Sequence, residues 1–191
     1  MRFNQHSELK DKHSFLSASK YHWVNYTPEK LLESYSRASA AARGSALHAF
    51  AHQAIQLGIK LPNTQQTLNL YVNDCIGYRM QTEQPLMYSE NAFGTADAIN
   101  FQRNLITDAM VLRIFDLKNG VTPASFTQLE VYAAYFCLEY KIRPMEIEYD
   151  LRIYQNDDIE MHDADPEDIA YIMDRIKEFD KLIKRAQEEG V

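Results

Sequence analysis

Met110-Val111-Leu112-Arg113-Ile114-Phe115-Asp116-Leu117-Lys118 reads as a β-strand, and the rest of the chain can be placed around it. Its aliphatic and β-branched residues favour an extended backbone, and Lys118-Asn119-Gly120 ends it. Successive side chains on a strand point to opposite faces, so Asp116 and Lys118 share one face and Phe115 and Leu117 the other. Upstream, Pro85-Leu86-Met87-Tyr88 and Thr95-Ala96-Asp97-Ala98-Ile99 flank Asn91-Ala92-Phe93-Gly94, which predicts two strands joined by a turn. Downstream, Phe126, Leu129, Ala133 and Phe136 recur at helical spacing between Ala124 and Tyr140, and Ile147 to Tyr154 alternates like a strand. An amphipathic helix is expected after Asp165-Pro166, over about 165–189.

The N-terminal half reads as helical. Thr27-Pro28-Glu29 combines an N-cap, a first-turn proline and an acid matched to the helix dipole, opening a helix through Leu31, Leu32 and Tyr35. A second helix is expected from about Ala40 to Leu57. A third, capped by Asn63-Thr64, carries Leu68, Tyr71, Val72, Cys75 and Ile76. Helices, a meander of strands, a crossover helix and a returning strand together predict an α/β fold, a mixed β-sheet flanked by helices. At 191 residues with 46% hydrophobic positions, and with no repeat or linker, a single domain over 1–191 is expected.

No run of eighteen apolar residues occurs, and Met1 to Lys12 is polar with mixed charge. Neither a membrane span nor a secretory signal is read, so a soluble, cytoplasmic protein is expected. Cys75 and Cys137 lie in apolar helical segments, as buried free thiols do. The net charge of −7 argues against a nucleic-acid partner when taken whole, since phosphate binding needs a positive surface. The charge is unevenly placed, however. Residues 145–191 hold fifteen acidic and six basic side chains, against twelve acidic and fourteen basic in residues 1–144.

An Asp-x-Lys at the end of an apolar strand is commonly a surface salt bridge. It also suits phosphodiester hydrolysis, in which the carboxylate holds a divalent cation and the lysine orients water or stabilises developing charge. Asp97, nineteen residues before Asp116 in a neighbouring strand, raises the interest of the pair. Two carboxylates converging beside a lysine call for further positive charge, which a hard cation such as Mg²⁺ supplies.

With these residues in place, the chain resembles the PD-(D/E)XK nucleases, and within them the RecB-like exonucleases that include phage recombination and CRISPR-associated members. Gly44-Ser45-Ala46-Leu47-His48 is similar to the family's Gly-x-x-x-His helix, Gly94-Thr95-Ala96-Asp97 to its Gly-x-x-Asp strand, and Asp116-Leu117-Lys118 to its (D/E)xK core. Gln128-Leu129-Glu130-Val131-Tyr132 resembles its Gln-x-x-x-Tyr helix, and Leu16-Ser17-Ala18-Ser19-Lys20 its Ser-x-Ser opening. The match spans about residues 15–155, and its specificity lies in the order and intervals of motifs that are each weak alone.

The resemblance implies a restriction-endonuclease-like fold and a Mg²⁺- or Mn²⁺-dependent deoxyribonuclease. It implies an exonuclease acting on DNA ends or single strands in recombination, repair or phage DNA metabolism, alone, as a homo-oligomer, or with a recombination partner protein. His48, Asp97, Asp116 and the backbone carbonyl of Leu117 would hold the cation, Lys118 would steady charge on the phosphate, and Gln128 and Tyr132 would position the reactants. Glu90, ranked above Glu83, is the candidate for an additional acid, and Lys20 and Arg43 are candidate DNA contacts. His52 follows His48 by four residues, but Ala49 stands where a zinc metalloprotease helix carries its glutamate, so that reading is rejected. Tyr26 stands before Thr27-Pro28 where cluster-bearing relatives show cysteine, so no iron–sulfur cluster is expected. Two other readings are an endonuclease and a catalytically silent binding module, the latter using Asp157, Asp158, Glu160, Asp163 and Asp165 as a DNA-like acidic face.

Overall fold

The computed structural model describes residues 14–120 and 124–190, without the side chains of Ser19 and Lys20. The chain divides into two compact units, Met1–Ser45 and Ala46–Val191.

In the first unit a 3₁₀ stretch, Ala18–Asn25, precedes helix α1, Pro28–Gln56. Thr27 caps the helix as expected, its Oγ1 accepting from the Lys30 amide at 3.3 Å. The two helices expected here are one continuous element. Ala38 to Ala42, rich in the best helix former and free of proline, carries the backbone across the expected break. From Ala46 onward α1 belongs to the second unit, to which the whole sheet also belongs.

That sheet has five strands in the order β1-β2-β3-β4-β5: β1 Gln81–Ser89, β2 Ala92–Arg103, β3 Met110–Leu117, β4 Glu148–Gln155 and β5 Asp158–His162. β1 to β3 form an antiparallel meander, β3 and β4 run parallel, and β5 returns antiparallel to β4. The parallel pair needs a crossover, supplied by α3, Thr127–Tyr140. Helices α2, Thr67–Gly77, and α4, Pro166–Glu188, complete the flanks. The fold is α/β, a mixed sheet flanked by helices, compatible with a restriction-endonuclease-like arrangement.

Alternation along the strands feeds two core layers. Leu112, Ile114, Leu151 and Ile153 pack with Leu129, Ala133 and Ala134 of α3 and Ile169 of α4. Phe115, Leu117 and Tyr154 pack with Ala51, Ala54 and Ile55 of α1 and Tyr71 and Val72 of α2. Both cysteines are buried free thiols. Among the described residues, no helix is long and apolar enough to cross a membrane.

Three local readings change. α2 begins three residues beyond the Asn63-Thr64 signal. Its start is capped from a distance by the Asp157 carboxylate, which accepts from the Thr67 amide at 2.8 Å and the Thr67 hydroxyl at 3.1 Å. The β1–β2 turn lies at Glu90-Asn91, so Phe93 and Gly94 are strand residues. β5 is an addition to the expected elements, a five-residue edge strand in which Asp158 and Glu160 hide the alternation of Ile159 and Met161.

Candidate active site

The site grows from the place where β2 leaves β3. The two strands pair from Ala98↔Phe115 to Arg103↔Met110, and the ladder stops there. Beyond it the Asp97 side chain takes over, its Oδ2 accepting from the Leu117 amide at 3.1 Å. Asp97 is thus fixed by a backbone donor that the sheet has released.

Two further groups meet Asp97. From α1, His48 brings Nδ1 to 3.4 Å from Asp97 Oδ2. From β1, the pairs Thr82↔Ala98 and Gln84↔Ala96 put Glu83 opposite Asp97. Glu83 has a positive φ of 53°, a left-handed conformation uncommon outside glycine that re-aims the side chain of an otherwise extended strand. One potential ligand atom from each of His48, Glu83 and Asp97 lies within 4.8 Å of the other two.

Asp116 stands beside this group rather than within it. The residue is 3% exposed. Lys118 Nζ donates to Asp116 Oδ1 at 3.0 Å and approaches Oδ2 at 2.9 Å. Oδ2 is nonetheless buried without a well-aligned hydrogen bond. Burial raises the Asp116 pKa above the ordinary carboxylate range, and the neighbouring charge of Asp97 adds to it, while Lys118 opposes both. The His48 pKa is raised chiefly by its hydrogen bond to Asp97, with Asp97, Asp116 and Glu83 adding charge and burial working the other way.

The lysine is held from a second side. Lys118 Nζ donates to Gln128 Oε1 at 3.0 Å, and Gln128 Nε2 donates to the Tyr132 hydroxyl at 3.3 Å. These residues, four apart on α3, share a face. Gly94 makes room for them, since a Cβ built there would lie 2.9 Å from Tyr132 Cε1. Its place in the sequence pattern therefore has a packing reason as well as proximity to Asp97. Two residues beyond Gln128, Glu130 Oε1 lies 3.0 Å from His162 Nε2 of β5, tying the first turn of α3 to the sheet edge.

His48, Asp97, Asp116, Lys118, Gln128 and Tyr132 are thus brought together. Leu117 contributes its amide to Asp97 and is otherwise core. Glu90 is corrected. It sits exposed in the β1–β2 turn, and the antiparallel register puts Glu83, not Glu90, against Asp97. His52 is engaged elsewhere, with Nδ1 2.6 Å from Thr82 Oγ1. Arg43 is exposed on α1 within the first unit. The Lys20 side chain lies outside the described residues. In the acidic segment, Asp157 caps α2 and Asp165 caps α4 through the Glu167 amide at 2.9 Å.

No protein-family model and no curated protein matches the chain. Among solved structures, the chain aligns with the crystal structure of SSO0001 at 14% sequence identity, covering 81% of this chain and 66% of that one, with a TM-score of 0.37.

Proposed function

We propose that this chain is a metal-dependent nuclease that hydrolyses the phosphodiester bonds of DNA, a member of the PD-(D/E)XK group acting as an exonuclease. The observation that carries the reading is the convergence of His48, Glu83 and Asp97 on one point, with buried Asp116 and half-buried Lys118 paired beside it.

The residues suit a hard divalent cation such as Mg²⁺ or Mn²⁺. Two carboxylates and an imidazole offer oxygen and nitrogen donors. The buried Asp116 Oδ2, 2.9 Å from the Lys118 ammonium but without a well-aligned hydrogen bond, is the kind of acceptor that further positive charge stabilises. His48, Glu83 and Asp97 would hold the ion, with Asp116 adjacent. When bound, the cation would acidify a water and neutralise charge on the phosphate.

The chain's own groups do the rest. Asp97 is locked by the Leu117 amide, so its carboxylate is pre-oriented before any ligand arrives. Lys118, held between Asp116 and Gln128, presents an ammonium whose position is set on both sides. Such a fixed charge stabilises the developing oxyanion better than a mobile one. Tyr132 fixes Gln128 from behind. The acidic-module alternative loses support because Asp157 and Asp165 are engaged as helix caps.

Incubating the purified protein with end-labelled linear DNA and closed circular DNA, with and without Mn²⁺, tests the proposal. Metal-dependent loss of the linear form alone is the expected result. Nicking or linearisation of the circle would mark an endonuclease, and intact DNA of both forms would overturn the reading.

A further inference from the structure

A cavity of about 270 Å³ opens on the α3 side of β1 and β2, near the lower limit of roughly 300 Å³ for small-molecule sites. Its size suits one ring system. Gln81 and Gln84, paired with Ile99 and Ala96 on the α3 face, bring carboxamides to its wall, and among the described residues no carboxylate lines it.

The cavity is connected to the candidate active site by one helix face. Gln128, Tyr132, Phe136 and Tyr140 follow each other at intervals of four along α3, Gln128 touching Lys118 and the last two lining the cavity. At 1.5 Å per residue the stripe runs about 18 Å, a span of a few nucleotides. On the sheet, Gln81 pairs with Ile99, two residues from Glu83 and Asp97, or about 7 Å. Phe136 and Tyr140 have ring centroids 4.8 Å apart, and Tyr140 is 52% exposed, leaving its ring open to a stacking partner.

Resting on the nuclease reading above, we infer that this cavity receives one unpaired base of the nucleic-acid substrate, a few nucleotides from the bond that is cut. A carboxamide offers both donors and an acceptor, which is the pattern on a base's pairing edge. In a duplex that edge is already occupied, so the cavity selects a base from an unpaired strand. Tyr140 supplies the stacking surface, as aromatic side chains do for single strands.

The test uses the full-length protein in EDTA, so that binding is read without cleavage. Fluorescence anisotropy compares a short single-stranded oligonucleotide with an abasic one of equal length, for the wild type, Tyr140→Ala and Gln81→Ala, both at exposed positions. The wild type should bind the base-bearing strand more tightly, and each variant should lose about tenfold on it while binding the abasic strand unchanged. Equal wild-type affinity for both strands, no binding, or variants indistinguishable from wild type would overturn the inference. Cleavage by the wild type in Mn²⁺ is measured separately. Base-dependent binding without cleavage would sink the nuclease reading and leave the cavity standing, whereas cleavage with unaffected variants would do the reverse.

Discussion

Replacing Gly94 with alanine reverses the sign usually expected of such a change. Gly94 lies in β2 with no positive φ, so alanine can adopt its backbone. By reducing the freedom of the unfolded chain, Gly94→Ala would then stabilise the protein by about 0.4–1 kcal/mol. Here the new methyl meets Tyr132 Cε1 at 2.9 Å, when ordinary contact begins at 3.4 Å, so the ring must retreat by about half an ångström or the strand must bend. Overpacking of this kind costs roughly 1–3 kcal/mol, enough to outweigh the entropic gain and lower the Tm by a few degrees. The displaced ring also loosens the Gln128 to Tyr132 hydrogen bond, worth about 1 kcal/mol, and with it the seat of Lys118. Activity should fall about tenfold. A double-mutant cycle isolates the cause: in a Tyr132→Ala background, Gly94→Ala should be neutral or stabilising. If Gly94→Ala stabilises the wild type, or destabilises both backgrounds equally, the packing argument is wrong.

If His48, Glu83 and Asp97 hold a cation, Mn²⁺ at one hundred times its Kd should add about 2.7 kcal/mol of stability, read as a rise of roughly 5–10 °C in a thermal melt. Glu83→Gln should shrink that rise and Glu90→Gln should leave it intact; the opposite ranking would refute the register argument. Because its hydrogen bond to Asp97 raises the His48 pKa, the stabilisation it gives the metal-free protein is fully present below the unfolded histidine value of about 6.5. It is lost as pH rises through the folded value. In EDTA the wild type's advantage over His48→Ala should therefore shrink at alkaline pH while Mn²⁺ affinity grows, both followed by thermal melts across pH. Asp180 accepts from the Ser89 hydroxyl at 2.6 Å and pairs with Lys184 at 2.7 Å, holding its pKa down at about 2. Its contribution is present above the ordinary aspartate value and lost as pH falls through about 2, so wild type and Asp180→Asn should converge in acid melts.

Much of this was legible in the sequence because it depends on local pattern. The strand Met110–Leu117, its crossover helix and the returning strand follow from alternation and helical spacing, and Asp116 with Lys118 follows from the period of two. What could not be read depends on register and on partners distant in sequence. Setting the hairpin turn at Asn91–Gly94 instead of Glu90-Asn91 slides β1 against β2, and only the actual register shows Glu83, not Glu90, opposite Asp97. The cap on α2 comes from Asp157, ninety residues away, so Asn63-Thr64 misplaced the helix start. β5 carries acids on an edge strand, where solvent-facing charge is tolerated and hydrophobic alternation fades. Asp116 was read with His48 and Asp97 as a ligand; that Glu83 joins those two within 4.8 Å while Asp116 sits buried against Lys118 is visible only in three dimensions.

The central claim is tested most directly by following end-labelled linear DNA in Mn²⁺ with the wild type, Asp116→Ala and Lys118→Ala, each checked for folding by circular dichroism. Progressive shortening by the wild type and its loss in both folded variants is the predicted result. Undiminished shortening by either variant, or wild-type protein that leaves the DNA intact in both Mn²⁺ and Mg²⁺, would contradict it.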